Sequence, residues 1–174
     1  TWIALPKDRE DDPAAFVHSA QTTLPILEGE GKSVRLILGN VWGERAPIET
    51  PSEMFYADAT LEAGASIPLP DNHEDRGVYV LAGDVTVGGE TYPVGRMLVF
   101  RPGDRISVKA GDAGARIMLL GGATMDGPRH IWWNFVASSQ DRINAAKEAW
   151  RAGDWAHGRF RLPPTDDKEF IPAP

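Results

Sequence analysis

The chain has 174 residues, with 18 Lys and Arg against 25 Asp and Glu, so its formal net charge is −7. It contains no Cys, which excludes disulfides, zinc ribbons, iron–sulfur ligation and a cysteine nucleophile, and leaves four His as the only imidazole ligands. The acidic balance argues against a nucleic-acid partner, and no stretch approaches the ~20 apolar residues that cross a bilayer. Because no signal-like segment and no Cys are present, we expect a cytoplasmic protein without a membrane partner.

The sequence up to about residue 120 has the pattern of an all-β protein. Residues 1–6 are predicted to form a strand, residues 7–13 a loop, and residues 14–20 an irregular segment. Short apolar runs then recur between turn signals, which is typical of a sandwich or barrel. The runs are Val34 to Leu38, Met54 to Leu61, Val78 to Leu81, Val85 to Val87, Met97 to Phe100, Ile106 to Val108 and Ala115 to Leu120.

Three glycine-containing segments are predicted to be turns between these strands. Gly88-Gly89 separates two short β-prone runs, and a two-residue Gly-Gly link suits the positive φ angles of a tight hairpin. Pro102-Gly103-Asp104 and residues 111–114 are predicted to turn the chain in the same way.

The pattern changes after Gly122. Residues 130–136 form a dense aromatic run, predicted to be one strand with Trp132 and Trp133 on opposite faces and both favoured as packing residues. The hydroxyls of Ser138 and Ser139 then predict the start of a helix, with an apolar stripe at Ile143, Ala146 and Trp150, and Gly153 as its stop. The tail from Arg161 onward is predicted to be irregular, although its Phe170 and Ile171 are apolar enough to dock.

This region carries a family resemblance. The string GPRHIWWNFVASS at residues 127–139, with Arg142-Ile143, AWRAG at 149–153 and DDKEFIP at 166–172, resembles the C-terminal half of bacterial pirins. Residues 1–6, 55–58 and 73–76 extend the similarity toward the N-terminus. The resemblance implies an all-β cupin (RmlC-like jelly-roll) β-barrel with a C-terminal α-helix and an extended tail. We divide the chain into an inter-barrel strand and linker (1–32), a degenerate cupin barrel (33–136) and a C-terminal helix and tail (137–174).

Pirins resemble two cupin barrels in one chain, with a metal, usually iron, in the first barrel. The motif of that site includes an H-P-H stretch, and this sequence has no H-x-H. The resemblance therefore implies that iron or another divalent metal, and any quercetin 2,3-dioxygenase activity, belong to an N-terminal cupin half missing from this sequence. We expect no cofactor in this chain.

The general cupin motif can be aligned with residues 64–83, in the region predicted to be the second barrel. Gly64 opens the frame and Gly83 closes it, which places the three ligand positions on Pro70, Asn72 and Arg76. The second motif places Ile106 or Ser107, according to its register, where a His is expected. A site without imidazole, and with a guanidinium in place of the carboxylate, would repel a divalent cation. We predict no metal ligand and no catalytic residue here.

Four residues remain as a candidate pocket: His73, Glu74, Arg76 and Tyr79. A ligand trio of His73, Glu74 and Asp75 is conceivable, but adjacent residues on a strand point to opposite faces, so a solvated loop cluster is favoured. Arg76 could point into the barrel mouth with Tyr79 nearby and anchor a carboxylate or phenolate. The favoured alternative is an ion pair of Arg76 with Glu74 or Asp58.

Three functions compete at this point. The preferred one is the non-catalytic half of a pirin-like protein, whose residues 1–5 and Phe170-Ile171 pack against an N-terminal cupin half of the same protein or a second subunit. The second is an intact iron-dependent dioxygenase of flavonols such as quercetin, to which this region contributes structure. The third is a regulatory protein-interaction module, like pirins that act on transcription factors or metabolic enzymes.

Overall fold

The computed structural model describes residues 1–163, 165–166 and 168–174. Within these residues the chain forms two compact units, one of residues 13–124 and one of residues 1–12 with 125–174. The division into 1–32, 33–136 and 137–174 stays a prediction. The strands of the first unit are β1 (Ile26–Gly29), β2 (Lys32–Val41), β3 (Glu44–Arg45), β4 (Met54–Leu61), β5 (Ser66–Pro68), β6 (Asp75–Val87), β7 (Glu90–Pro93), β8 (Met97–Phe100) and β9 (Ser107–Gly122).

These nine strands form one antiparallel sheet. Its main path runs β1-β2-β4-β9-β6-β7, with β3 paired to β2, β5 to β9 and β8 to β6. Alternate residues of the long strands point into a common core, where Leu36, Ala57, Val78, Val80 and Ile117 are completely buried. The intervening residues point outward. The all-β architecture is therefore confirmed.

The predicted hairpin at Gly88-Gly89 is confirmed. Val87 pairs with Glu90 across it, and the two glycines have φ of 59° and 87°. The turn at Pro102-Gly103 is also present, between β8 and β9, with Gly103 at φ 80°. The glycines therefore supply the positive φ angles that an L side chain tolerates poorly.

The turn predicted at residues 111–114 is wrong. Those residues lie inside the sixteen-residue strand β9, which also contains the run from Ala115 to Leu120 and all of the run from Ile106 to Val108 except Ile106. The partner strand β6 likewise joins two predicted runs, and the register between them shifts twice, between Val80 and Ala82 and between Gly83 and Val85. The glycine signal marks bulges within paired strands here rather than chain reversals.

The second unit contains β10 (His130–Trp132), β11 (Phe135–Ala137) and helix α1 (Gln140–Ala152). The helix prediction is confirmed at both ends: the Ser139 side chain accepts a hydrogen bond from the Arg142 backbone N–H, and Gly153 is left-handed at φ 67°. Ile143 and Ala146 are buried, and Trp150 packs against them in an aromatic cluster.

Two strand predictions in this unit are wrong. Residues 1–6, all described, form no strand and lead into a short 3-10 turn at Lys7–Arg9. Residues 130–136 are not one strand, because the chain reverses at Trp133, φ 49°, and Trp132 pairs with Phe135. The reversal brings both indoles onto one cluster, with their ring centroids 5.9 Å and 5.6 Å from that of Phe135. They are therefore packing residues, as predicted, but do not lie on opposite faces.

The tail has no regular structure in its described part, as predicted; Pro164 and Asp167 lie outside the described residues. It docks on its own unit. The Trp150 indole N–H donates to the Ile171 carbonyl at 3.0 Å, and the Phe170 ring lies 4.5 Å from that of Trp155. Packing of the tail against a partner stays a prediction.

Candidate functional site

Arg76, at the predicted carboxylate position of the cupin frame, is buried at 2% exposure. It lies on β6 in the same alternation as Val78 and Val80, so its side chain points inward. Its Nη1 donates to the carbonyl oxygens of Pro70 at 3.1 Å and Asp104 at 2.8 Å. Its Nη2 donates to the carbonyl of Arg101 at 2.7 Å. One guanidinium thus joins the segment before β6 to the loop between β8 and β9.

The ion pair predicted for Arg76 is wrong. The Asp58 carboxylate instead accepts two hydrogen bonds from Arg116, whose side chain holds the pKa of Asp58 below its usual value. Glu74 accepts a hydrogen bond from the Thr124 backbone N–H. In the described part of the chain, the three hydrogen bonds of the Arg76 guanidinium all go to backbone carbonyls. Sequence spacing does not reveal them, because every residue offers the same carbonyl group.

His73 is buried as well, at 3% exposure, so the solvated cluster predicted for it is wrong. Its ring centroid lies 5.0 Å from that of Phe55, and its Nδ1 lies 3.9 Å from the Glu53 carboxylate. Neither ring nitrogen has a hydrogen-bond partner among the described residues. Its neighbours Glu74 and Asp75 are exposed, as a loop cluster would be.

Tyr79 does not share a pocket with Arg76. The two residues are three positions apart on β6, so the strand alternation sends their side chains to opposite faces of the sheet. Tyr79 lies between the fully buried Val78 and Val80 but is itself only partly buried, opposite Met97 on β8 and Met118 on β9. The structure therefore places Arg76 inside the barrel and Tyr79 on its outer surface.

The barrel interior does not fit a divalent metal. The three ligand positions hold a proline, an exposed asparagine and the buried Arg76 guanidinium, which already uses both Nη atoms on carbonyls. A fixed positive charge at the ligand position repels a cation. Among the described residues, no group of three His, Asp or Glu side chains is placed to hold a metal ion.

A separate groove opens on the same unit. It has a volume of about 410 Å³ and is lined by apolar side chains that include Leu27, Val34, Ile67 and Trp42, with Glu28, Glu30 and Lys32 also in its wall. Trp42 is 38% exposed and has φ 48°. None of the four candidate residues lines it.

Comparison with known proteins agrees with this architecture. The Pirin C-terminal cupin domain profile matches residues 56–156. A pirin-like protein of Caulobacter vibrioides is 41% identical over 174 residues, which cover 99% of this chain and 58% of that protein. A crystal structure of quercetin 2,3-dioxygenase from Acinetobacter baumannii superposes with a TM-score of 0.84 at 27% identity, covering 99% of this chain and 56% of the other. The fold is thus an all-β cupin fold.

The chain spans 50% to 59% of the length of the curated relatives it matches. No helix among the described residues has the length and apolar character needed to span a membrane.

Proposed function

The chain belongs to the pirin family and carries its C-terminal cupin domain, and from this membership we propose that it is the metal-free half of a quercetin 2,3-dioxygenase-like protein. In this proposal, the metal-dependent chemistry takes place in an N-terminal cupin half, which would hold iron or another divalent ion. This chain would support that half structurally.

The observation that carries the proposal is the position of Arg76. The cupin sequence frame places Arg76 at the position of the carboxylate ligand, and its guanidinium donates hydrogen bonds to three backbone carbonyls. A side chain held in this way braces two loops of the barrel and leaves no anionic ligand for a cation. Two findings support metal chemistry in the N-terminal half and a structural role for this chain. The chain is similar to a quercetin 2,3-dioxygenase structure, and it covers 56% of that structure.

The proposal is tested by quercetin turnover with three preparations: the protein with both halves, this chain alone, and the N-terminal half alone. We expect chelator-sensitive turnover by the protein with both halves and none by this chain. We also expect the N-terminal half alone to be less active, since its structural support is absent. Chelator-sensitive turnover by this chain alone would contradict the proposal. A metal-loaded protein with both halves but no turnover would favour the regulatory alternative.

A further inference from the structure

The groove beside the hairpin of β1 and β2 opens onto the apolar core of the barrel. Val34 on β2 belongs to the buried core, and Leu27, its partner on β1, packs against that core. Ile67 on β5, also buried, forms another part of the wall. The residues that line the groove all lie in the unit of residues 13–124. A concave space of about 410 Å³ with apolar walls has the size and character of a small-molecule site.

Two tight hairpins present unusual residues to this groove. Glu30 lies in the turn between β1 and β2, and Trp42 in the turn between β2 and β3, with φ of 52° and 48°. Such turns favour Asn, Asp or Gly at this position, because φ is positive. Turn chemistry therefore explains neither side chain. Backbone strain of this kind is concentrated where a fold presents a side chain to a ligand.

Lys32 brings a positive charge to the apolar wall. It lies two residues before Val34 on β2, so strand alternation sends both side chains to the same face. The Lys32 side chain is 19% exposed, whereas that of its ion-pair partner Glu30 is 86% exposed. The Lys32 Nζ donates to the Glu30 carboxylate at 2.6 Å and holds the pKa of Glu30 below its usual value. An ammonium has three N–H donors, and among the described residues one of them has an acceptor.

The acidic residues of the groove wall leave this ammonium accessible to an anion. Glu28 follows Leu27 on β1, so its side chain lies on the opposite face of the strand. The carboxylate of Glu30 lies in water, where it can turn aside and where salt screens its charge. Across the hairpin from Lys32 lies Gly29, and a Cβ there would meet no atom within 4 Å. The charge that faces an incoming ligand is therefore that of Lys32.

We propose that the groove binds a small apolar carboxylic acid, with its carboxylate on the Lys32 ammonium and its apolar body against the Trp42 indole and the core-facing walls. Charge complementarity selects this class, because a carboxylate forms a charge-assisted hydrogen bond with the ammonium and a cationic ligand is repelled by it. Arg76 does not line the groove, and the site does not depend on the proposed function.

The test uses 2-naphthoate as the probe and the uncharged 2-naphthamide as its matched analogue. Each is titrated into the nitrogen-15-labelled chain and followed by nuclear magnetic resonance. We expect 2-naphthoate to shift the Trp42 indole N–H and the backbone amides of residues 28–34 in a saturable manner. The Trp42 signal is identified by its absence in Trp42→Asn, a substitution that suits the turn. The amide should bind about tenfold more weakly, because it lacks the charge-assisted bond.

Two variants should change the affinity for 2-naphthoate in opposite directions. Lys32→Met removes the ammonium and keeps an apolar stem, so it should lower that affinity to the level of 2-naphthamide. Glu30→Gln removes the competing carboxylate with the backbone unchanged, and should raise the affinity about threefold. Lys109→Met is the matched control, since Lys109 is exposed on β9 and does not line the groove. Thermal midpoints of the variants separate lost binding from lost folding.

Three results would overturn the proposal. Equal affinity for 2-naphthoate and 2-naphthamide would show that the charge of Lys32 plays no part. Shifts that do not saturate, or that lie outside residues 27–42 and 67–68, would show that the groove is not the site. Equal losses of affinity in Lys32→Met and Lys109→Met would show that overall charge, rather than the groove, attracts the probe.

Discussion

Replacing Arg76 with methionine is expected to destabilise the chain by about 3 kcal/mol or more, because it removes three hydrogen bonds and leaves carbonyls in and near the barrel interior unpaired. Methionine has a similar length and no charge, so the loss reports the hydrogen bonds rather than a cavity. Urea denaturation followed by circular dichroism measures it. A stabilised protein would show instead that desolvation of the guanidinium outweighs its bonds.

Arg116→Met is the control for this variant. Arg116 makes two hydrogen bonds to Asp58, but more than half of its side chain is exposed. Exposed ion pairs contribute little because water and salt screen them. We therefore expect a clearly smaller loss than for Arg76→Met, and equal losses would contradict the bracing role given to Arg76.

Replacing Gly39 with alanine is expected to cost about 4 kcal/mol or more and to impair folding, since the new side chain collides with the neighbouring strand. Gly39 lies in β2 opposite Phe55, with φ 73°. A Cβ there would overlap the Met54 carbonyl oxygen and lie 2.6 Å from its carbonyl carbon. Backbone atoms of a paired strand cannot move aside without breaking β2 from β4. The soluble yield and the urea midpoint both report this effect.

Gly43→Ala separates steric overlap from backbone strain. Gly43 also has a positive φ, 86°, but no atom lies within 4 Å of the position of its Cβ. Its substitution should therefore cost only the left-handed strain of about 1–2 kcal/mol. If Gly39→Ala and Gly43→Ala lower the free energy of unfolding by the same amount, backbone strain alone explains the effect at Gly39. Steric overlap with β4 would then contribute nothing.

Much of the fold is predictable from local chemistry. The strand at 54–61 is predicted by its apolar run. The Gly88-Gly89 hairpin is predicted by two residues that tolerate positive φ. Helix α1 is predicted by the Ser139 hydroxyl at its start and by the apolar stripe at Ile143 and Ala146. Each of these signals acts within a few residues of the element that it specifies. The glycines at 111–114 mislead because a bulge and a turn both need residues with unusual φ angles, and only strand pairing decides between them.

The candidate site was less predictable because its contacts are distant in sequence and chemically generic. His73 is buried against Phe55, eighteen positions earlier, and Arg76 bonds to carbonyls as far as Asp104. The separation of Tyr79 from Arg76 could have been predicted, since residues three apart on a strand point to opposite faces. The cupin frame marked Arg76 as a position of interest, but its contacts emerge only from the structure.

The most direct test of the account is the metal content of the purified proteins. This chain, after exposure to iron, zinc and nickel and exhaustive dialysis, is predicted to contain no stoichiometric metal by elemental analysis, because Arg76 occupies the ligand position of its barrel. The protein with both halves is predicted to retain one ion per molecule under the same treatment. One tightly bound ion per molecule of this chain alone would contradict the account.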